Sequence, residues 1–143
     1  MRALLAAALL ASLVQAMRAW LPDSDPADLA RAILAATDDP HEMLLLARIA
    51  FRESSFRPEV SDCRVKGRQG ELGAWQILPR SATEASRLCV SLEGDARLAL
   101  ERIRESLAAC RHLRPEWQLS IYTRGKCDSR EGHKLSEARW VAP

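Results

Sequence analysis

Apolar residues recur along this chain at helical spacing, interrupted by one irregular stretch between Phe56 and Leu78. Asp25-Pro26 joins a capping carboxylate to a proline preset for the first helical position, and predicts a helix through about Thr37. Asp39-Pro40 repeats the device, and Glu42 is spaced to reach back to the Asp39 amide. From Met43 to about Ser54 the pattern is apolar nearly all round (Leu44, Leu45, Leu46, Ala47, Ile49, Ala50, Phe51), which predicts a buried helix. Pro58, Gly67, Gly70 and Gly73 punctuate the irregular stretch, with short strands expected around Ala74–Leu78. Helices resume from Pro79-Arg80 to about Leu88, then from Asp95 to His112, where Leu98, Ile103 and Leu107 mark an apolar face. A last helix is expected from Pro115 to Thr123, ended by Gly125. There is no internal repeat and no low-complexity linker.

The N-terminus adds a different signal. Met1-Arg2 is followed by an apolar run from Ala3 to Val14, broken only by Ser12, and then by Gln15-Ala16. One positive charge, a short apolar run and small residues at Val14 and Ala16 form the pattern of a secretory leader over residues 1–16. The alternative is a short N-terminal apolar helix packed on the core. At ~1.5 Å per residue the run falls well short of a bilayer's ~30 Å apolar thickness, so no stable membrane span is expected. An exported protein, periplasmic or extracellular, is the expectation, with residues 17–143 as the mature domain.

Cysteine usage agrees with export. Cys63, Cys89, Cys110 and Cys127 form an even, widely spaced set without a Cys-x-x-Cys pair, so disulfides are expected rather than zinc or redox chemistry. Four cysteines allow three pairings, which the sequence leaves open. The favoured one joins Cys110 to Cys127, stapling the helix before Tyr122 to the loop after it, and leaves Cys63 with Cys89. His41, His112 and His133 lie far apart and off any helical ligand spacing, so no metal is expected.

With 143 residues, 48% hydrophobic and 28% charged, the chain has the size and composition of one globular domain. A net charge of +2 carried by scattered basic residues argues against nucleic acid as the partner. Between Arg111 and Arg139 seven Arg or Lys face four Asp or Glu, an excess that a solvated surface accounts for.

The candidate chemistry centres on Glu53. It ends the most apolar helix, between Phe51 and Phe56, where lost solvation disfavours the charged carboxylate and raises its pKa toward neutrality. A general acid that protonates a glycosidic oxygen needs that shift. A helix-end glutamate that reaches water, or pairs with Arg52 or Arg57, is the plainer alternative.

The segment Ala47–Phe56, ARIAFRESSF, resembles the first motif of the soluble lytic transglycosylase family, in which Glu-Ser ends a buried helix. Gly73-Ala74-Trp75-Gln76-Ile77-Leu78-Pro79 is similar to that family's Gly-Leu-Met-Gln-Ile-x-Pro, and Ile121-Tyr122-Thr123-Arg124-Gly125 to its Ala-Tyr-Asn-x-Gly. Order and spacing agree, and the resemblance covers residues 28–127. It implies a mainly α, lysozyme-like (α+β) single domain, a helical bundle with a small irregular or β region forming the cleft. The implied activity is a peptidoglycan lytic transglycosylase, a glycan-cleaving lyase. Such an enzyme breaks the β-1,4 bond between N-acetylmuramic acid and N-acetylglucosamine and leaves a 1,6-anhydro end. Glu53 would be its acid and base. Gln76 and Tyr122 would line the cleft, Ser54 would support the helix end, and Trp75, in place of the family's methionine, would be able to stack on a sugar. Ala74 for leucine and Thr123 for asparagine are further departures. The implied partner is the glycan strand, without cofactor, in settings such as a secretion apparatus or a phage assembly.

Hydrolytic glycosidases generally use two carboxylates. Glu59, Asp62 and Glu71 are the candidates for a second, with Glu71 best placed. A water-using muramidase or endolysin is therefore one alternative, and a non-catalytic glycan-binding module is another.

Overall fold

Two of the expected caps position the central helices. In the computed structural model, which describes residues 2–128, helix α3 spans Pro40–Ser54, and the Asp39 carboxylate accepts from the His41 amide at 2.8 Å. Glu42 does not reach the Asp39 amide. The Thr37 hydroxyl intervenes, accepting from Asp39 N–H at 3.1 Å and donating to Glu42 at 2.5 Å. Glu42 is thereby aimed at Arg104, which holds it by two hydrogen bonds of 2.7 and 2.8 Å. Helix α2, Ala27–Ala36, begins just after Pro26, with the Ala27 amide 3.4 Å from Asp25 Oδ1. Helix α1, Arg2–Trp20, precedes it.

The longest element after these is α6, Leu92–Ala109, which packs chiefly on α2. It starts three residues before the expected Asp95, because the Ser91 hydroxyl accepts from Gly94 N–H at 3.0 Å and caps the helix there. Its buried face is Ala96, Ala99, Leu100 and Ile103, while Leu98 and Leu107 lie at the margin. The expected apolar face is thus rotated. Facing α2, which buries Ala30, Ala32 and Ile33, the helix presents alanines, and close packing of two small-residue faces fills the space that leucines would overfill. Together α1, α2, α3 and α6 enclose one hydrophobic core, and the chain is a small, mainly helical single domain.

Around that core run short elements. Helix α4, Pro58–Ser61, follows α3, and α5, Ala82–Arg87, is capped by Ser81. Between them no strand forms among the described residues. The strands expected around 74–78 reduce to one antiparallel bridge, Leu72 with Ile77, closed by reciprocal hydrogen bonds of 3.0 and 2.9 Å. Gly73 at φ 76° and Gln76 at φ 47° turn the chain too sharply for a ladder to continue. At the end, the expected helix over 115–123 divides into a 3-10 turn, Pro115–Trp117, and α7, Ser120–Arg124, ended by Gly125 at φ 74°. The division has a cause in Ser106 of α6. Its hydroxyl donates to the Gln118 carbonyl at 2.7 Å and accepts from Ile121 N–H at 3.1 Å, supplying bonds that a continuous helix would have made internally.

Disulfides join Cys63 to Cys89 and Cys110 to Cys127, with Cα–Cα distances of 6.0 and 5.4 Å, the favoured one of the three pairings. Asp95 is enclosed beside the first of these. Its Oδ1 accepts from Cys89 N–H at 2.9 Å, and its Oδ2 has no hydrogen-bond partner among the described residues. A side chain on Gly73 would bring its Cβ to 3.2 Å from that oxygen, so this turn packs on α6 only with glycine at its start.

Helix α1 divides in character along its length. Leu4, Leu5 and Leu9 are exposed, whereas Leu13 and Met17 are buried and Trp20 closes on Phe51 and Phe56. Arg48 lies over the Trp20 ring, 5.4 Å from its centre. Among the described residues no helix is long and apolar enough to cross a membrane. His133 and the part of the basic segment beyond residue 128 lie outside the described residues.

Trp75 is fully buried at the centre of this arrangement, with its indole N–H donating to the Leu46 carbonyl at 3.0 Å. Trp75→Ala should cost about 3 to 5 kcal/mol of stability, as for other buried aromatics truncated to alanine, measured by denaturant unfolding. A loss below 1 kcal/mol, roughly the size of an ordinary surface change, would show that the ring contributes little to the core.

Candidate functional site

Glu53 occupies the last turn of α3, where the chain leaves the helix by an unusual route. Ser55 at φ 51° and Phe56 at φ 55° both take left-handed backbone that normally falls to glycine. Such residues cost on the order of 1 kcal/mol or more each, which the burial of the Phe56 ring against Trp20 and Phe51 offsets. The Arg57 side chain and amide both donate to the Ser54 carbonyl, at 3.1 and 3.0 Å, and so satisfy the helix end. Ser54 is buried, its hydroxyl donating to the Ala50 carbonyl at 2.7 Å. It does not line the cleft. Glu53 does.

The cleft has a volume of ≈ 990 Å³ and is lined in part by Glu53, Glu71, Gln76, Leu78 and Tyr122. Three segments separated in sequence therefore meet there: the end of α3, the turn through Gln76, and α7. Burial pushes the Glu53 carboxyl above its ordinary range, and the charge of Glu71 pushes it the same way, against a smaller opposing effect of Arg52. Tyr122 is shifted well above its ordinary range by burial and by the charge of Glu53. Its phenol is therefore neutral, and its proton is committed to the Trp75 carbonyl at 2.6 Å. What it offers the cleft is an acceptor oxygen and the edge of a ring.

Gln76 is held in its left-handed conformation with its amide nitrogen donating to the Gly73 carbonyl at 2.9 Å. Its Oε1 and the Glu71 carboxylate both lie against Gly67, where a Cβ would collide with Glu71 and stand 2.8 Å from Gln76 Oε1. Glu71 Oε2 also accepts from Gln69 N–H at 2.9 Å, and its carbonyl accepts from Gly67 N–H at 2.9 Å. The loop from Gly67 to Glu71 is thus folded to hold one carboxylate at the cleft wall.

Of the residues named from the sequence, Glu53, Gln76 and Tyr122 come together. Trp75 does not join them. Its ring points into the core, and no face of it is open to a sugar. The indole has one N–H to satisfy, and the Leu46 carbonyl that accepts it lies inside the core. The cysteines sit behind the walls: Cys63–Cys89 behind the turn, Cys110–Cys127 beyond α7. Gly67, Arg68, Ile121 and Lys126 also line the cleft and were not singled out. A glycine two residues before Gln69 carries a signal only once its neighbours in space are known. The described residues bring one group of ligand-type atoms together, from Cys63, Cys89 and Asp95, and its two sulfurs are bonded to each other.

Comparison of the chain with protein-family models, with curated proteins and with solved structures finds no match in any of the three.

Because a like charge nearby raises the pKa of Glu53, Glu71→Gln should lower it, leaving only the part due to burial. Titration of the Glu53 side-chain carboxyl by NMR reads this directly. An unchanged midpoint in the variant would mean that the charge of Glu71 does not reach Glu53.

Proposed function

We propose that this chain cleaves peptidoglycan glycan strands as a lytic transglycosylase, with Glu53 as the only acid and base. The observation that carries this reading is a carboxyl held above its ordinary pKa at the wall of an open cleft, beside Gln76 and Tyr122. The three short motifs through Glu53, Gln76 and Tyr122 support it. A lysozyme-like arrangement, with a buried helix delivering the acid to a cleft walled by an irregular segment, belongs to the same proposal.

The reaction follows from the groups present. Protonated Glu53 gives its proton to the glycosidic oxygen as the bond from the muramic C1 to that oxygen breaks, and the sugar leaves behind an oxocarbenium-like centre. Glu53, now a carboxylate, takes the proton from the same sugar's 6-hydroxyl as that oxygen bonds to C1. The acid is restored, and a 1,6-anhydro ring is formed with no water consumed. An intramolecular hydroxyl has a large advantage in effective concentration, worth several kcal/mol over a free water. Desolvation serves both steps, since it holds the proton before cleavage and makes the carboxylate a stronger base afterwards. Tyr122, unable to donate, and the Gln76 carboxamide are placed to receive sugar hydroxyls and amides.

One observation favours a second reading, hydrolysis. Glu71 lines the same cleft, and its charge acts on Glu53, so a second carboxylate is available as a candidate base for water. A glycan-binding role without turnover fits less well, because binding alone needs no carboxyl with a raised pKa.

Glu53→Gln should fold normally and lose nearly all wall-clearing activity, since the amide cannot give and retrieve a proton. Fragments released by the native protein should carry 1,6-anhydro ends, each lighter by one water than a hydrolysis product. Reducing ends alone would establish hydrolysis, and activity retained by a folded Glu53→Gln variant would remove Glu53 from the chemistry.

Export is proposed on separate grounds. The apolar side chains Leu4, Leu5 and Leu9 are exposed; a cut after Ala16 would keep Met17 and Trp20 and would remove Leu13 from the core and Leu10 and Val14 from its margin. Mature protein from an oxidising compartment should begin at or near Met17 and show no alkylatable thiol on mass analysis. Four free thiols there would overturn it.

A further inference from the structure

Asp95 is the most enclosed charged residue among those described, 1% exposed, and it lies beside a bond that can break. One of its carboxylate oxygens and the sulfurs of Cys63 and Cys89 all lie within 4.8 Å of one another. Its Oδ1 is used on the Cys89 amide, and its Oδ2 meets no hydrogen-bond partner among the described residues. Oδ2 and Cys63 Sγ converge on Gly73, 3.2 and 3.9 Å from the place a Cβ would take there. Both cysteines are open to solvent in part, Cys89 more than Cys63.

A cap for the Cys89 amide needs one acceptor oxygen, which asparagine would supply as well. A buried carboxyl adds a desolvation cost that this bond does not require. Burial raises the pKa of Asp95, against a smaller effect of the Cys89 N–H. From the segments packed against it Asp95 meets the two sulfurs, the Cys89 amide and the bare Gly73, none of them charged. Along α6, Glu93 and Arg97 pair with each other; beside the cysteines, Arg64 pairs with Asp62 and Arg87 is exposed. When the S–S bond opens, the inner sulfur leaves as a thiolate. A thiolate and a carboxylate side by side in a desolvated place repel each other. A proton at Oδ2 removes that conflict.

We infer that Asp95 is the proton carrier for breaking and making the Cys63–Cys89 disulfide, so that this bond is a switch on the loop it closes. The co-reactant is a dithiol, or in reverse a small disulfide. A thiolate of the dithiol attacks Cys89 Sγ, the S–S bond breaks, and Cys63 leaves as a thiolate that takes the Asp95 proton. The second thiol gives its proton to water and attacks the dithiol sulfur bonded to Cys89, whose own sulfur leaves and is protonated from water. Two electrons pass to the protein disulfide and the dithiol ends as a disulfide. Asp95 regains from water the proton that the first thiol released. In reverse, the Asp95 carboxylate takes the Cys63 proton as that sulfur attacks Cys89 in a mixed disulfide and expels the small thiolate. Opening the bond releases a covalent restraint on the segment that brings Glu71 and Gln76 to the cleft. The inference stands apart from the glycan-cleaving reading.

The test follows the opening of both disulfides by dithiothreitol in the folded protein, through alkylation and mass analysis, with rates divided by thiolate concentration. Closing is followed with oxidised glutathione. Asp95→Asn keeps an acceptor for the Cys89 amide but cannot carry a proton. It should slow both opening and closing of Cys63–Cys89 about a hundredfold, the lower end of what a positioned acid or base contributes, and leave Cys110–Cys127 unchanged. A capping role alone predicts no such difference between the two bonds. A second measurement needs no variant. In the native protein the opening rate of Cys63–Cys89 should be highest below the Asp95 midpoint read by NMR, and should fall as pH rises through it, because only the protonated carboxyl donates. Equal rates in native and Asp95→Asn protein, or equal slowing of both disulfides, overturn the inference. A native profile without the fall at the Asp95 midpoint overturns it whatever the variant does.

Discussion

The enclosure of Trp75 joins the three segments that make the cleft. Its indole N–H bonds to Leu46 within α3, the helix that delivers Glu53, and its carbonyl receives the proton of Tyr122 from α7. Gln76 follows it directly, so the side chain facing the cleft is placed by the one facing the core. Burial of the ring drives the arrangement, and its polar atoms fix the orientation, because an unpaired indole N–H inside would cost more than the bond itself contributes. Even the acceptor character of Tyr122 follows, since its only proton is used inward.

Glu53 is both desolvated and open to the cleft. Burial raises the pKa of Glu53 above its ordinary range, yet the same carboxyl borders a cleft of ≈ 990 Å³. Glu71 adds to the effect from across the cleft, and its own position is secured by the Gln69 amide and by the missing side chain at Gly67. The proton affinity of one residue on a rigid helix is therefore set in part by a loop folded on itself.

Much of this was legible in the sequence because it depends on short-range chemistry. The Asp39-Pro40 cap, the buried run through Ala47 and Ile49, and the stop at Gly125 each follow from a few adjacent residues. Glu53, Gln76 and Tyr122, named together from the sequence, line one cleft. What escaped was decided across the chain. Thr37 displaced Glu42 from the cap because Arg104, far away in sequence, claims the carboxylate. Ser106 broke the last helix from a neighbouring one. Alanines proved to be the buried face of α6, since closeness to α2 rather than side-chain size decided which face turned inward. Trp75, open in the sequence between stacking on a sugar and packing in the core, is a core residue, a distinction that depends on whether a carbonyl such as that of Leu46 lies within reach.

The two disulfides close separate loops, one with a sequence separation of 26 and the other of 17. A cross-link of this kind acts largely by removing disorder from the unfolded chain, and loops of such lengths correspond to about 3 kcal/mol each on the entropic account. Neither loop encloses any of α1, α2 or α3. The covalent restraint is thus confined to segments outside α1, α2 and α3, while the helix bearing Glu53 is held by burial and by noncovalent bonds such as Trp75 to Leu46 and Arg104 to Glu42. Reduction widens the range of shapes open to the loop that carries Trp75 and to the segment after α6, while α1, α2 and α3 lose no covalent restraint, so the sensitivity of this protein to its redox surroundings is distributed unevenly along the chain.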